Sequence, residues 1–241
     1  DCRFIKNKAQ ESLGTVNIKT DFFLSESRES TLIITGSTFE DNECKEGHAI
    51  YIAESTFSVQ ITKCTFKDCG TNDYVISIKA KPQSVLVQNN TIHFTVGDKT
   101  ATPLFLNTES FQLNENKIQN IKSTVVRFYG RNEDNDGFQI IGNTFSECSG
   151  DSVIDAENLI KFTPIIKRNT FTDISIINQL MSLKLKNSIY QVVFDNNTFC
   201  NFVINSKCGG IGLEVNHEST DISLSLSFND CYFINNNNQE S

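Results

Sequence analysis

The stretch Phe138-Gln139-Ile140-Ile141-Gly142-Asn143-Thr144-Phe145 is answered 26 residues later by Pro164-Ile165-Ile166-Lys167-Arg168-Asn169-Thr170-Phe171. Both segments carry an apolar residue, Ile140 or Ile166, five positions before the end and then close on Asn-Thr-Phe. A further copy stands at Asn197-Thr198-Phe199, with looser relatives at Ser37-Thr38-Phe39, Cys64-Thr65-Phe66, Asn90-Thr91-Ile92, Asn116-Lys117-Ile118 and Cys231-Tyr232-Phe233. Taking the last residue of each triplet as an anchor gives positions 39, 66, 92, 118, 145, 171, 199 and 233, separated by 27, 26, 26, 27, 26, 28 and 34 residues. A recurring period of this length marks a solenoid, in which each repeat buries its apolar face only against its neighbours.

The columns around the anchor identify the repeat unit. Five residues before each anchor stand Ile34, Ile61, Val87, Leu113, Ile140, Ile166, Phe194 and Phe228, while the next position is Thr35, Thr62, Gln88, Asn114, Ile141, Lys167, Asp195 and Asn229. That is the period-two pattern of a strand with one buried face, broken only by Ile141 and, two residues upstream of the apolar column, by Pro164. The anchor opens a short strand of its own, whose inward residue three positions on is Cys69, Ile121, Cys148, Ile174 or Phe202. Each row adds another β-like segment, such as Val75-Ile76-Ser77-Ile78, Val126-Arg127-Phe128 or Leu183-Lys184-Leu185. Three short strands per turn, each apolar inward, describe a right-handed parallel β-helix of about eight coils of roughly 26 residues, one domain over residues 1–241. Helical 3.6-residue spacing is absent, and a propeller blade needs about 40 residues or more.

Two residues before the anchors, consecutive coils place Asn90, Asn116, Asn143, Asn169 and Asn197 at one bend. Stacked at the strand spacing of about 4.8 Å, their amides are expected to form a buried, hydrogen-bonded ladder. One position earlier, in an exposed column, Asn89 and Asn196 open the glycosylation triplets Asn89-Asn90-Thr91 and Asn196-Asn197-Thr198.

The net charge of −8, from 21 basic and 29 acidic residues, argues against nucleic acid or an anionic membrane as partner, and no apolar run is long enough to insert into a bilayer. The eight cysteines include no C-x-x-C pair and the three histidines, His48, His93 and His217, are scattered, so neither a metal nor another cofactor is expected. Cys44 and Cys69, five and three residues past their anchors on adjacent coils, can be bridged across coils, and Cys200 with Cys208 could close a long loop. The other reading of the cysteines, as small buried hydrophobes, applies most directly to Cys148, placed between Ile121 and Ile174.

The repeat also resembles the right-handed β-helix surface proteins of the polymorphic outer-membrane-protein family of adhesins, whose repeats carry F-x-x-N and G-G-A-I. Here F-x-x-N stands at Phe4–Asn7, Phe39–Asn42 and Phe233–Asn236, and the glycine motif survives as Gly47-His48-Ala49-Ile50 and Gly209-Gly210-Ile211. The other coils depart from it, as in Phe66…Cys69 and Phe145…Cys148. The resemblance implies a secreted or cell-surface protein that adheres to a partner protein or a glycan through one face and its variable loops.

β-Helices also host polysaccharide lyases and hydrolases, so the outward residues of the second strand carry the candidate site. In stack order they are Tyr51, Ser77, Phe105, Arg127, Asp155, Lys184 and Glu214, beside a neighbouring column that holds Tyr129, Glu157 and Lys186. Asp155 and Glu157 thus fall between Arg127 and Lys184, with Tyr129 and Phe105 close by. Carboxylates beside aromatic platforms fit sugar binding, and a lyase wants a basic residue near metal-held acids, which this carboxylate and basic patch offers. The competing reading is a solvated ladder of alternating charge that prevents like-charge stacking. The expectation is therefore a binding module rather than a catalyst, with a polysaccharide-active enzyme and a scaffold of a larger extracellular assembly as alternatives. A β-helix whose end coils lack a cap invites end-to-end or heterotypic association, so a cap, a partner or further coils of a longer chain are expected beyond at least one end.

Overall fold

The computed structural model describes residues 1–19, 31–46, 48–54, 57–70, 73–79, 84–95, 100–130, 137–159, 163–186, 189–204, 211–216 and 223–238. These residues fold as a parallel β-solenoid with three long sheets of eleven, eight and eight strands, and every strand pair in them is parallel. The anchor sheet runs from Arg3–Ile5 through Thr38–Glu40 and the later anchor strands to Tyr232–Ile234. The second sheet runs from Val16–Lys19 to Ile211–Asn216, and the third from Thr31–Thr35 to Ser223–Asn229. A separate pair joins Lys8–Leu13 to Glu43–Glu46.

The repeat register holds along the whole anchor sheet: Phe4, Phe39, Phe66, Ile92, Ile118, Phe145, Phe171, Phe199 and Phe233 are successive pairing partners. Their rings stack at the strand spacing, with centroids 4.8 Å apart for Phe4–Phe39 and Phe145–Phe171, and 5.2 Å for Phe171–Phe199. The inward columns of all three sheets meet in one core, which includes Ile61, Val87, Leu113, Ile140 and Ile166 from the third sheet. Pro164 is buried but supplies no N–H, so its strand shrinks to Ile165–Lys167, while the Pro164 carbonyl still accepts from Val193 N.

Sharp bends separate the strands, and two of them recur with a left-handed residue. Before the anchor these are Gly36, Lys63, Asn89, Glu115, Gly142, Arg168, Asn196 and Asp230; two residues after it they include Asp41, Asp68, Asn120, Glu147, Asp173 and Asn201. The acidic residues that follow the anchors therefore occupy a backbone conformation that Asp and Asn tolerate well. Asp68 also accepts from both the backbone N and the Oγ1 of Thr95. Asn89 and Asn196, the triplet asparagines, are exposed at the first bend.

The asparagine ladder is continuous. From Asn116 on, each Oδ1 accepts from both the backbone N and the Nδ2 of the preceding coil's asparagine, as in Asn116 to Asn143 at 2.9 and 3.0 Å and Asn143 to Asn169 at 2.9 and 3.0 Å, while Asn90 Oδ1 accepts from Cys64 N. Each Nδ2 also donates to the preceding coil's third-sheet carbonyl: Asn90 to Ile61, Asn116 to Val87, Asn143 to Leu113, Asn169 to Ile140 and Asn197 to Ile166. All five side chains are buried.

The expected Cys44–Cys69 bridge does not form; both residues remain thiols. Cys69 is the inward residue of its row and stacks on Asn42, whose Nδ2 lies 3.9 Å from its sulfur, whereas Cys44 stands two residues farther along and its sulfur lies 3.8 Å from Thr15 Oγ1. The two side chains belong to different columns. Cys200 is also a thiol, and Cys208 lies outside the described residues. Cys148 is a buried thiol whose pKa burial pushes up to about 12, so it packs as a small hydrophobe.

Candidate ligand-binding site

The second sheet places the candidate residues, because its outward side chains stack coil on coil. Tyr51, Ser77, Phe105, Arg127 and Asp155 are successive partners, as expected from the repeat. The next partner of Asp155 is Ser182, followed by Gly212, where Lys184 and Glu214 had been expected. The reason is that Met181-Ser182-Leu183-Lys184-Leu185 alternates without interruption, so a two-residue slip leaves every apolar side chain facing inward. Buried Met181, partner of Ile154, sets the true register.

The slip redistributes the charges. Lys184 forms an ion pair with Glu157 on the adjacent coil. Similar cross-coil pairs link Lys67 to Glu40 at 2.7 Å and Lys167 to Asp195 at 2.5 Å. Each of the three sheets thus carries a cross-coil pair of opposite charges, and Glu157 with Lys184 is the one on the second sheet. Glu157 also lies at a bulge, since the register shifts between Ala156 and Leu159 and Asn158 is left-handed at φ 55°. Gly130 makes room for this bulge: a Cβ there would lie 2.5 Å from the Asn158 carbonyl oxygen.

Arg127 and Asp155 are left to a different environment. They pair across adjacent strands, and among the described residues no ion pair closes between them. Together with Ser182 and Lys184 they border a pocket of about 390 Å³. Its other walls are Thr124 and Ser152, both buried, with Asp151, Asn178 and Gln179 toward solvent. Thr124, Ser152 and Gln179 each precede an inward apolar residue (Val125, Val153 and Leu180) whose backbone groups are hydrogen-bonded from coil to coil. They form a polar column that the strand pattern alone had not singled out, although its signal is a polar residue just before each second-sheet strand.

Electrostatics distinguish the two carboxylates. Burial holds the Asp155 carboxyl above the usual carboxylate range, against the opposing pull of Lys184 and the hydrogen bond from Ser182. Burial likewise raises the Tyr129 phenol, helped by the charges of Glu157 and Asp155. The Nε of Arg127 is buried with no hydrogen-bond partner among the described residues. Beside the pocket on the same face runs an aromatic row: Tyr74 and Phe105 with centroids 4.5 Å apart, then Phe105 and Tyr129 at 5.8 Å. Phe105 is the cross-strand partner of Arg127, so the row meets the pocket directly. Tyr51 and Ser77, outward by register, are buried, whereas Phe105, Arg127 and Asp155 of the same column are partly exposed.

A raised carboxyl has a stability consequence with a definite sign. Between its unfolded value near 3.9 and its higher folded value, Asp155 binds more proton in the folded chain, so stability falls as pH rises through that window. Asp155→Asn is therefore expected to melt higher than the parent at pH 7, by less than about 1 kcal/mol because the group is half-exposed. The gain should vanish as pH falls below the ordinary carboxylate value. Thermal melts at pH 7 and pH 3.5 check it; a variant less stable at pH 7 would show that Asp155 holds the fold rather than straining it.

Among the described residues no group of three His, Cys, Asp or Glu side chains is placed to hold a metal ion, and no helix is long and apolar enough to cross a membrane. No protein-family model, curated protein or solved structure matches this chain.

Proposed function

We propose that this solenoid is a recognition module, displayed at a cell surface or secreted, which binds a glycan through the outer face of its second sheet and is adhesive rather than catalytic. The observation that carries the reading is the Tyr74–Phe105–Tyr129 row running into the polar pocket of Arg127, Asp155 and Ser182. The C–H face of a pyranose ring is apolar and stacks on the negative face of an aromatic ring, while convergent donors and acceptors take its hydroxyls. The likeness to F-x-x-N adhesins adds support through the motif's asparagines. Asn42 Nδ2 donates to the Phe4 carbonyl and Asn236 Nδ2 to the Phe199 carbonyl, which gives these rows a structural reason for the motif. Gly47, Gly209 and Gly210 of the glycine motif lie outside the described residues.

Glycoside hydrolysis is the weaker reading. It calls on two carboxyl groups, one acid and one base or nucleophile, flanking the bond to be cut. Asp155 has the raised pKa of an acid, but Glu157 is held by Lys184 on the same side of the face. The test is a glycan array probed with the purified chain and with Tyr129→Ala, each checked for the same β-rich circular dichroism. Binding to a defined set of glycans, lost by at least about tenfold in Tyr129→Ala, is the expected result. Failure of the folded parent to bind any glycan, or release of reducing ends from a bound one, would overturn the reading.

A further inference from the structure

We propose that the pocket between Arg127 and Asp155 is the end subsite of this face and selects an uncharged sugar ring through a pair of neighbouring hydroxyls. The proposal rests on the glycan-binding reading and adds the class of sugar.

The charges around the pocket lead to it. Lys184 is engaged by Glu157, which leaves one guanidinium and one carboxylate on adjacent strands, in register and unjoined. Arg127 Nε is buried and has no hydrogen-bond partner among the described residues, so a donor is already desolvated and in need of an acceptor. Asp155 accepts from Ser182 and has lone pairs to spare. A ligand carboxylate seated on Arg127 would lie beside Asp155, and a ligand ammonium seated on Asp155 would lie beside Arg127. In a half-buried place each arrangement sets like charges together.

A vicinal diol avoids both conflicts. One hydroxyl donates to the Asp155 carboxylate and its neighbour accepts from Arg127, so both protein groups are satisfied and no charge is added. The rest of the lining is neutral and hydrogen-bonding, with the Thr124 and Ser152 hydroxyls deep and the Asn178 and Gln179 amides near solvent, apart from exposed Asp151 and from Lys184, whose charge is matched by Glu157. The volume of about 390 Å³ is at the small end of ligand sites and has room for roughly one or two sugar rings, with the chain continuing over Tyr129 and Phe105.

The test uses the full chain and a panel of neutral, uronic-acid-bearing and amine-bearing oligosaccharides of three to five units, with affinities from calorimetry. Neutral members are expected to bind at least about tenfold more tightly than matched charged ones. Arg127→Gln and Asp155→Asn should each weaken the best neutral ligand by at least about tenfold at unchanged fold. Lys67→Ala, on the anchor sheet, should leave affinity within about twofold. A preference for charged members, or full affinity in both pocket variants, overturns the inference. If Tyr129→Ala abolishes binding while Arg127→Gln and Asp155→Asn do not, the pocket assignment falls and the glycan reading stands. If no member binds the folded parent, both fall.

Discussion

Asn143→Ala is expected to destabilise the solenoid by roughly 2–5 kcal/mol, a far larger effect than a polar-to-alanine change at a surface bend. Asn143 is buried, and its side chain meets groups on three coils. Its Oδ1 accepts from the backbone N and the Nδ2 of Asn116, and its Nδ2 donates to the Leu113 carbonyl at 2.7 Å and to Asn169 Oδ1 at 3.0 Å. Alanine strands the Asn116 N–H and the Leu113 carbonyl in a place water does not reach. Each orphaned group costs about 1–3 kcal/mol, and the Asn116 amide loses one of its acceptors as well. Asparagine is the side chain that fits, because a single planar amide accepts from one neighbour while donating to two others. Urea unfolding followed by circular dichroism measures the loss. A loss below about 1 kcal/mol would mean that the ladder decorates the bend without holding it.

The ladder and the core were legible in the sequence for one physical reason: an inward column repeats at a fixed interval, so one row predicts the next. Even the break at Pro164 announced the shortened strand Ile165–Lys167. The outer face was harder to read. Period-two alternation places a side chain inside or outside but does not fix register by two, and that ambiguity exchanged Ser182 with Lys184 opposite Asp155. It also concealed that Glu157 and Lys184 neutralise each other while Arg127 and Asp155 stay apart. The pocket was invisible for a related reason, since its walls come from three coils and include residues just ahead of the strands, where no alternation points to them. The cysteines illustrate the same limit, because proximity by coil says nothing of side-chain direction, and Cys69 faces Asn42 rather than Cys44.

Phe171→Ala is expected to cost about 3–5 kcal/mol and to lower the cooperativity of unfolding as well. Phe171 is fully buried and lies between Phe145 at 4.8 Å and Phe199 at 5.2 Å, each nearly parallel to it. Truncation removes the ring's buried apolar surface, two aromatic contacts and the support of neighbours that have nowhere to collapse, since the backbone of each coil is pinned by ladder and sheet hydrogen bonds. In a solenoid the damage also has a direction. Coils touch only their neighbours, so a void in one rung weakens the junction between the coils on either side more than the coils themselves. Ile92 and Ile118 already divide the anchor column into two aromatic stacks, Phe4–Phe39–Phe66 and Phe145–Phe171–Phe199–Phe233. Phe171→Ala breaks the second stack in its middle. Hydrogen exchange should then show amides of the later coils, such as Phe199 and Phe202, opening at lower free energy than those around Phe66 and Ile92. Ile118→Val, at an existing gap in the stacking, should cost only about 0.5–1.5 kcal/mol and leave that profile even. Uniform loss of protection along the whole chain in Phe171→Ala would show that the solenoid unfolds as one unit and that its rungs are not locally coupled.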